Sequence, residues 1–489
     1  MHTIDILIFI GYLLGIVVFG VSFYKKERTS EDYSTGSGTL PAWVIGLSIF
    51  ATFVSSISFL ALPGAAFLSN WNSFVFSLSI PVAIFMAIKF FIPLYRRVGS
   101  PSAYTFLEER FGPWAKNYVA SFWLLTQVMR VAVILYLLAL PMYVILGWDM
   151  RIIIIVTGIS VMIYSIFGGI KAVVWTDAIQ AIILISGAAI TLGILMFSLP
   201  GGPTQYFEVA ASHEKFSLGS FGLSLTESTF WVVFIYGIFI NLQNYGIDQN
   251  YIQRYMSARD EKEAISSAFG GGLLYIPVSL LFFMIGTGLF VYYNVYPDLL
   301  PAEYHEAGMS DSVFPWFIVN GLPAGMTGLL IASIFAAGMS TISTSLNSGA
   351  TVILSDFYKR YTKRQISEKE SVNVLYIASA VICILGVMVS FYIIRVESAL
   401  DIWWNLAGIF SGGMLGLFLL GYFSHRVTNV PAAIGVVIGL LVIIWMSLSP
   451  VYFTGALENV QNPLHSYLTI VIGTLIIFMT GFLISIKSS

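Results

Sequence analysis

Ser340, Thr341, Ser343, Thr344, Ser345, Asn347 and Ser348 crowd the stretch FAAGMSTISTSLNSGA, at the inner end of an apolar run that begins near Leu322. Drawn as a helix, steps of three and four put Ala337, Ser340, Thr341, Ser343, Thr344 and Asn347 on one broad face, a stripe of oxygens. Two chemistries suit such a stripe. Small and hydroxylated residues let membrane helices pack closely, with each hydroxyl bonding the i−4 carbonyl. Hard cations such as Na⁺ are held by oxygen rather than nitrogen or sulfur, and a stripe of hydroxyls beside a carboxylate suits one well. Asp177, in FGGIKAVVWTDAIQAIILISGA, is such a carboxylate, unless it is a helix-end residue reaching water near Lys171. Arg130 offers the opposite chemistry, because its planar fork bonds both oxygens of a carboxylate; it also suits a backbone carbonyl or an inner gate. Asp177, Arg130 and Asp248 are the three charged residues that read as buried, and charge at membrane depth is costly enough to mark a pathway. Asp248 reads as part of a gate or as a salt-bridge partner of Arg254.

The elements that must position these groups are membrane helices. Hydrophobic residues make up 57% of the 489 and charged residues 10%, with a mean hydropathy of +0.86, far from a soluble balance. A bilayer core of about 30 Å takes about 20 apolar residues per helix. Thirteen such runs are present: 3–23, 41–69, 72–94, 118–147, 151–167, 171–199, 228–253, 268–293, 322–354, 372–394, 400–423, 430–448 and 466–486. The first has no basic region before it and is followed by YKKERTSEDY, so it reads as an anchor that stays. Lys25, Lys26, Arg28, Arg96, Arg97, Arg110, Lys116, Arg254, Arg259, Lys262, the cluster from Lys359 to Lys369 and Arg426 fall in alternate loops. The opposite loops hold Arg151, Lys215 and Arg395. This asymmetry places the N-terminus outside and the C-terminus inside a cytoplasmic membrane. The two longest external loops each have room for a short helix.

Several functions are excluded or disfavoured. Cys383 is the sole cysteine, and all five histidines lie at the terminus or in loops, which leaves no disulfide framework, thiolate cluster or haem site within the bundle. An enzyme lacks convergent acid, base or metal ligands, and a channel lacks a repeated filter segment. No nucleic-acid partner is expected, and a monomer suffices. Two long runs are interrupted at mid-membrane, 41–69 by Ser55, Ser56, Ser58 and Pro63, and 228–253 by NLQNYGIDQN. They lie about 190 residues apart, as the first helices of two five-helix halves would. Secondary transporters are often inverted repeats whose broken first helices expose carbonyls to ions and substrate.

On these residues the chain resembles a known family. GGIKAVVWTDAIQ is similar to the signature of the sodium/solute symporters, and STISTSLNSGATVILSDFYKR and DQNYIQRY resemble their other recurrent segments, in the family's order. The resemblance implies an all-α LeuT-type core of five plus five helices over residues 41–423. One extra helix at 3–23 and two more over 430–486 complete a single transport domain of thirteen. It implies Na⁺ as the coupling ion, at a site made of the carbonyls of Ala51, Val54 and Ala337 with the hydroxyls of Ser340 and Thr341. A second Na⁺ site present in some members would use Asp177, Ser340, Ser343 and Thr344. FATFVSSISF, RVAVILY and STSLNS are most similar to bacterial sialic acid transporters, which implies import of a sugar acid. Its carboxylate would meet Arg130 with Ser55 and Ser56, and Ser58 is nearby. Phe53 and Ser77 depart from that pattern, standing where those transporters carry threonine and glutamine. Asn241, Asn244 and Asn405 are further pocket candidates, equally explained by helix–helix hydrogen bonds. A neutral monosaccharide or a small monocarboxylate is the alternative substrate, and a channel or membrane sensor the alternative function.

Overall fold

The computed structural model describes residues 2–26, 28–305, 310–394 and 413–487. Run after run of apolar residues becomes helix: α1 (Thr3–Val21), a short α2 (Ser30–Thr35), α3 (Ala42–Phe53), α4 (Ser56–Leu68), α5 (Asn72–Val98), α6 (Pro113–Leu146) and α7 (Met150–Phe197). These are followed by α8 (Phe230–Ile247), α9 (Gln249–Ser257), α10 (Glu261–Val295), α11 (Met326–Val352), α12 (Glu368–Ile393), α13 (Asn429–Tyr452) and α14 (Leu468–Lys487). Among the described residues, ten helices are long and apolar enough to span a membrane, or eleven when α3 and α4 are taken as one bent span. The run at 400–423 lies mostly outside the described residues, which contain its helical end, Gly413–Phe423. Both long loops hold a helix, Gly202–Ser212 and Ser310–Asn320.

Two breaks shape the centre. Between α3 and α4 the axis bends by 56°. Val54 leaves the helix in an extended conformation at φ −77, ψ 120, and Ser55 follows at φ −113, ψ 174. The last carbonyls of α3 therefore lack helical partners, and such groups must be satisfied from elsewhere. Between α8 and α9 the same occurs at Asp248, extended at φ −78, ψ 126, whose carboxylate caps α9 by accepting from the Asn250 N–H at 2.7 Å. The central helix is α11, buried almost without interruption from Thr327 to Val352 and packed on α7, α6, α12 and α1. Its small and hydroxylated side chains permit that many neighbours.

Runs 151–167 and 171–199 are both helical and join directly within α7 at a sharp turn, Gly169 at φ 61, ψ −161. One expectation changes. Of the three charges that read as buried, Asp177 is, while Arg130 and Asp248 are half-buried, and Asp5, Arg28, Lys116, Lys215, Arg254 and Asp356 are buried as well. Arg28, Lys116, Lys215 and Arg254 fall in loops by sequence position, which says nothing about what a loop folds against.

Candidate functional site

The break after α3 meets the oxygen stripe of α11. Ser340 Oγ donates to the carbonyl of Ala51 at 3.1 Å and to that of Ala337 at 3.0 Å, and Thr341 Oγ1 donates to the Ala337 carbonyl at 3.1 Å. Val54 is fully buried at the end of α3, its carbonyl turned out of the helical ladder by the extended backbone. Four of the five residues expected around a first cation are thus in direct contact, and the fifth ends the same broken helix. The cluster presents oxygens alone, carbonyl and hydroxyl, a donor set suited to a small hard cation.

The second expected cluster holds a residue that sequence reasoning placed elsewhere. Asp177 is fully buried rather than water-facing, and Lys171 turns away from it to pair with Asp32 at 2.6 Å. Its Oδ2 pairs with Arg254 at 2.7 Å and accepts from Ser48 Oγ at 2.6 Å. Arg254 also donates to Thr344 Oγ1 at 2.6 Å, to Ser48 Oγ at 2.7 Å and to the Asn250 carbonyl at 2.6 Å. The expected Arg254–Asp248 pair is therefore replaced by Arg254–Asp177. The physical reason is α9: the break at Asp248 folds this short polar helix into the bundle, so a residue counted with a basic loop becomes a central cation. Among the described residues Asp177 Oδ1 has no hydrogen-bond partner, and an orphaned buried carboxylate oxygen is costly. Ser343 Oγ donates to the Ser340 carbonyl at 3.0 Å, on the same stretch of α11.

Beside these clusters lies a cavity of about 1180 Å³. Arg130 lines it, its Nη2 donating to the Thr52 carbonyl at 3.0 Å, so the guanidinium is fastened to the same broken segment that meets the oxygen cluster. Ser55, Ser58, Ser77 and Asn244 also line the cavity, and so does Phe53. The Phe53 ring stacks on Tyr245 at 5.5 Å and meets Tyr275 edge-on at 4.4 Å. Ser77 is engaged with Ser279 at 2.7 Å. Two expected residues do not reach it: Ser56 is fully buried with its Oγ unpartnered, and Asn241 donates to Ser79 Oγ at 3.0 Å within the α8–α5 packing. Asn405 lies outside the described residues. The wall contains Asp248, Gln127, Gln243, Tyr251 and Trp123 as well, none of which was expected there. The mid-helix polarity of NLQNYGIDQN was the available signal for Gln243 and Asp248.

The cavity extends to Leu464 and Ser466 in the connection between α13 and α14, and side chains bond the helices to one another on the face of the basic loops. Gln253 Nε2 donates to the Ser34 carbonyl, to Asn347 Oδ1 at 2.7 Å and to Thr351 Oγ1 at 3.1 Å. It ties α9, the α2 segment and α11 together. A charge cluster joins the same face: Lys116 meets Glu108 at 2.5 Å and Asp356 at 3.5 Å, and Arg360 meets Glu108 at 2.9 Å.

Comparison with known proteins gives this arrangement a context. The profile of the Sodium:solute symporter family matches residues 33–439. The sodium/sialic acid symporter SiaT of Proteus mirabilis is 34% identical over 446 residues, 90% of this chain and 89% of that protein. The sodium/sialic acid symporter NanT of Aliivibrio fischeri is 32% identical over 486 residues, 98% of this chain and 92% of its own. Among solved structures, a substrate-bound outward-open state of a Na⁺-coupled sialic acid symporter superposes with a TM-score of 0.91 at 30% identity, covering 99% of this chain and 98% of that one.

Proposed function

The chain belongs to the sodium:solute symporter family, and from that premise we propose that it imports a sugar acid of the sialic acid type with Na⁺ by alternating access. One observation carries the reading: Arg130 lines the cavity while bonded to the Thr52 carbonyl, one residue from the Ala51 carbonyl that Ser340 meets. Substrate and cation sites thus share a single broken segment, Ala51 to Ser58. A cation that orders this segment also orders the substrate site, and linkage makes the effect reciprocal. The first Na⁺ is assigned to Ala51, Val54, Ala337, Ser340 and Thr341, and a second to Asp177, Ser340, Ser343 and Thr344. The substrate carboxylate is assigned to Arg130 with Ser55 and Ser58 beside it. The core is read as a LeuT-type repeat within thirteen helices, working as a monomer in the cytoplasmic membrane, with the N-terminus outside and transport rather than catalysis as its work.

A neutral-sugar reading draws on one feature, the aromatic wall of Phe53, Tyr251 and Tyr275 in place of a more polar one. Purified protein in proteoliposomes distinguishes the two. Uptake of N-acetylneuraminate is expected to saturate, to require an inward Na⁺ gradient and to resist competition by neutral monosaccharides. Full uptake with choline in place of Na⁺ would reject sodium coupling, and strong competition by neutral sugars would favour the second reading.

A further inference from the structure

Arg130 shares its cavity with a second, opposite charge. Asp248 lines the same wall, and only part of it is used by the fold: Oδ1 caps α9 through the Asn250 N–H. Capping needs one acceptor oxygen and no charge, since asparagine and serine serve at that position as well as aspartate. Among the described residues, Oδ2 accepts no hydrogen bond of good geometry; the Trp123 indole stands beside the carboxylate, its Nε1 unpartnered. Arg130 lines the same cavity, but its own hydrogen bond goes to the Thr52 carbonyl, and the two form no ion pair among the described residues. Arg254, the other nearby cation, is committed to Asp177. A half-buried carboxylate with spare acceptor capacity therefore faces the chamber. Gln243 stands one turn away on α8, lines the same cavity, and has a buried amide oxygen without a partner among the described residues.

Consider an anion held at Arg130. A plain monocarboxylate gains the guanidinium and loses to repulsion and desolvation at Asp248, where it has nothing to donate. A polyhydroxylated acid turns the same carboxylate into a charge-assisted acceptor of its hydroxyls or amide N–H. Resting on the reading that Arg130 takes a carboxylate, we infer that Asp248, assisted by Gln243, is the hydroxyl-reading side of the cavity. It selects anions rich in O–H and N–H donors and rejects short monocarboxylates. Specificity of this kind joins an attractive contact to a repulsive one against the competitor.

Asp248→Asn tests this with little structural disturbance, because asparagine keeps the cap and the volume while removing the charge. Binding of N-acetylneuraminate, glucuronate and propionate is measured by calorimetry on purified protein in saturating Na⁺, with thermal stability in Na⁺ alone as the folding control. In the variant, affinity for both polyhydroxy acids is expected to fall about tenfold or more, while propionate is held no worse or better, so that the preference narrows. Asp248→Ser, which also caps, is expected to behave alike. Unchanged affinity and preference in both variants overturns the inference, as does a loss of stability in Na⁺ alone that fully accounts for lost binding in both. A parent protein that prefers propionate to the sugar acids overturns it too, leaving the carboxylate site at Arg130 intact. A parent that binds none of the three acids overturns the carboxylate reading itself.

Discussion

Thr341 contributes one hydroxyl to the oxygen cluster, and among the described residues its partner is the Ala337 carbonyl at 3.1 Å on its own helix. Thr341→Ala is therefore expected to leave the fold intact and to raise the half-saturating Na⁺ concentration several-fold, roughly the loss of one ligand among five. Na⁺ titration of uptake in proteoliposomes checks it, and an unchanged midpoint would make Thr341 a packing residue. Arg130 makes a sharper case, since it holds both a carbonyl and, by assignment, a carboxylate. Arg130→Lys retains charge but loses the fork, so affinity for acidic substrates is expected to fall at least tenfold while any neutral sugar that binds is unaffected. Equal damage to all substrates would reduce the role of Arg130 to bracing Thr52. These residues are legible in sequence because polar atoms stand out against apolar neighbours. Arg254 is not, because it neighbours Arg259 and Lys262 and only the tertiary approach of α9 removes it from that basic group. Ser48, which bonds Asp177, is one small residue in an apolar run and gives no signal.

Elements explain why these residues meet. Ser55 and Ser56 foretell the first break and Asp248 the second, since each interrupts an apolar run with groups that prefer caps and turns, whereas Pro63 is carried inside α4. The turn inside α7 is harder to foresee. Gly169 sits at φ 61, ψ −161, a region open to little but glycine. The carbonyls of Phe167 and Gly168 before it are taken by the Arg28 guanidinium at 2.9 and 3.0 Å. Arg28 also lies 3.5 Å from Asp32, the partner of Lys171. A six-residue helix, α2, thus docks into the turn, and six residues are too few to display a period. Gly169→Ala would add a Cβ 3.0 Å from Arg28 Nη1 and 3.1 Å from the Tyr33 ring at a φ that alanine avoids. A loss of about 1–3 kcal/mol of stability is expected, read as a lower melting temperature in detergent. A parent-like melting curve would show that the turn tolerates a side chain.

At the scale of the molecule, the cavity lies beside the broken segment and Gln253 ties α9, the α2 segment and α11 together, and in the proposed cycle the ions supply the drive. In the proposed assignment, Asp177 decides how many. Its pairing with Arg254 leaves the local charge balanced, which alone would argue for a single Na⁺ at the first cluster. The orphaned Oδ1 argues the other way, because a buried carboxylate oxygen without a donor invites a cation, and the hydroxyls of α11 stand ready to complete its shell. Each Na⁺ moved through the field contributes about 2.3 kcal/mol per 100 mV. Two ions with one monoanion carry a net positive charge inward, whereas one ion with the same anion carries none. The parent is therefore expected to show a Na⁺ Hill coefficient near two and uptake stimulated by an inside-negative potential. Asp177→Asn is expected to bring the coefficient towards one and remove the voltage response while substrate recognition persists. That variant strands Arg254, and an uncompensated buried charge costs about 3–5 kcal/mol, so the Asp177→Asn, Arg254→Gln double variant serves as its neutral control. If both variants fold and keep a Hill coefficient of two, or if the parent takes up the monoanion independently of potential, Asp177 braces the bundle and the second ion is absent from its side.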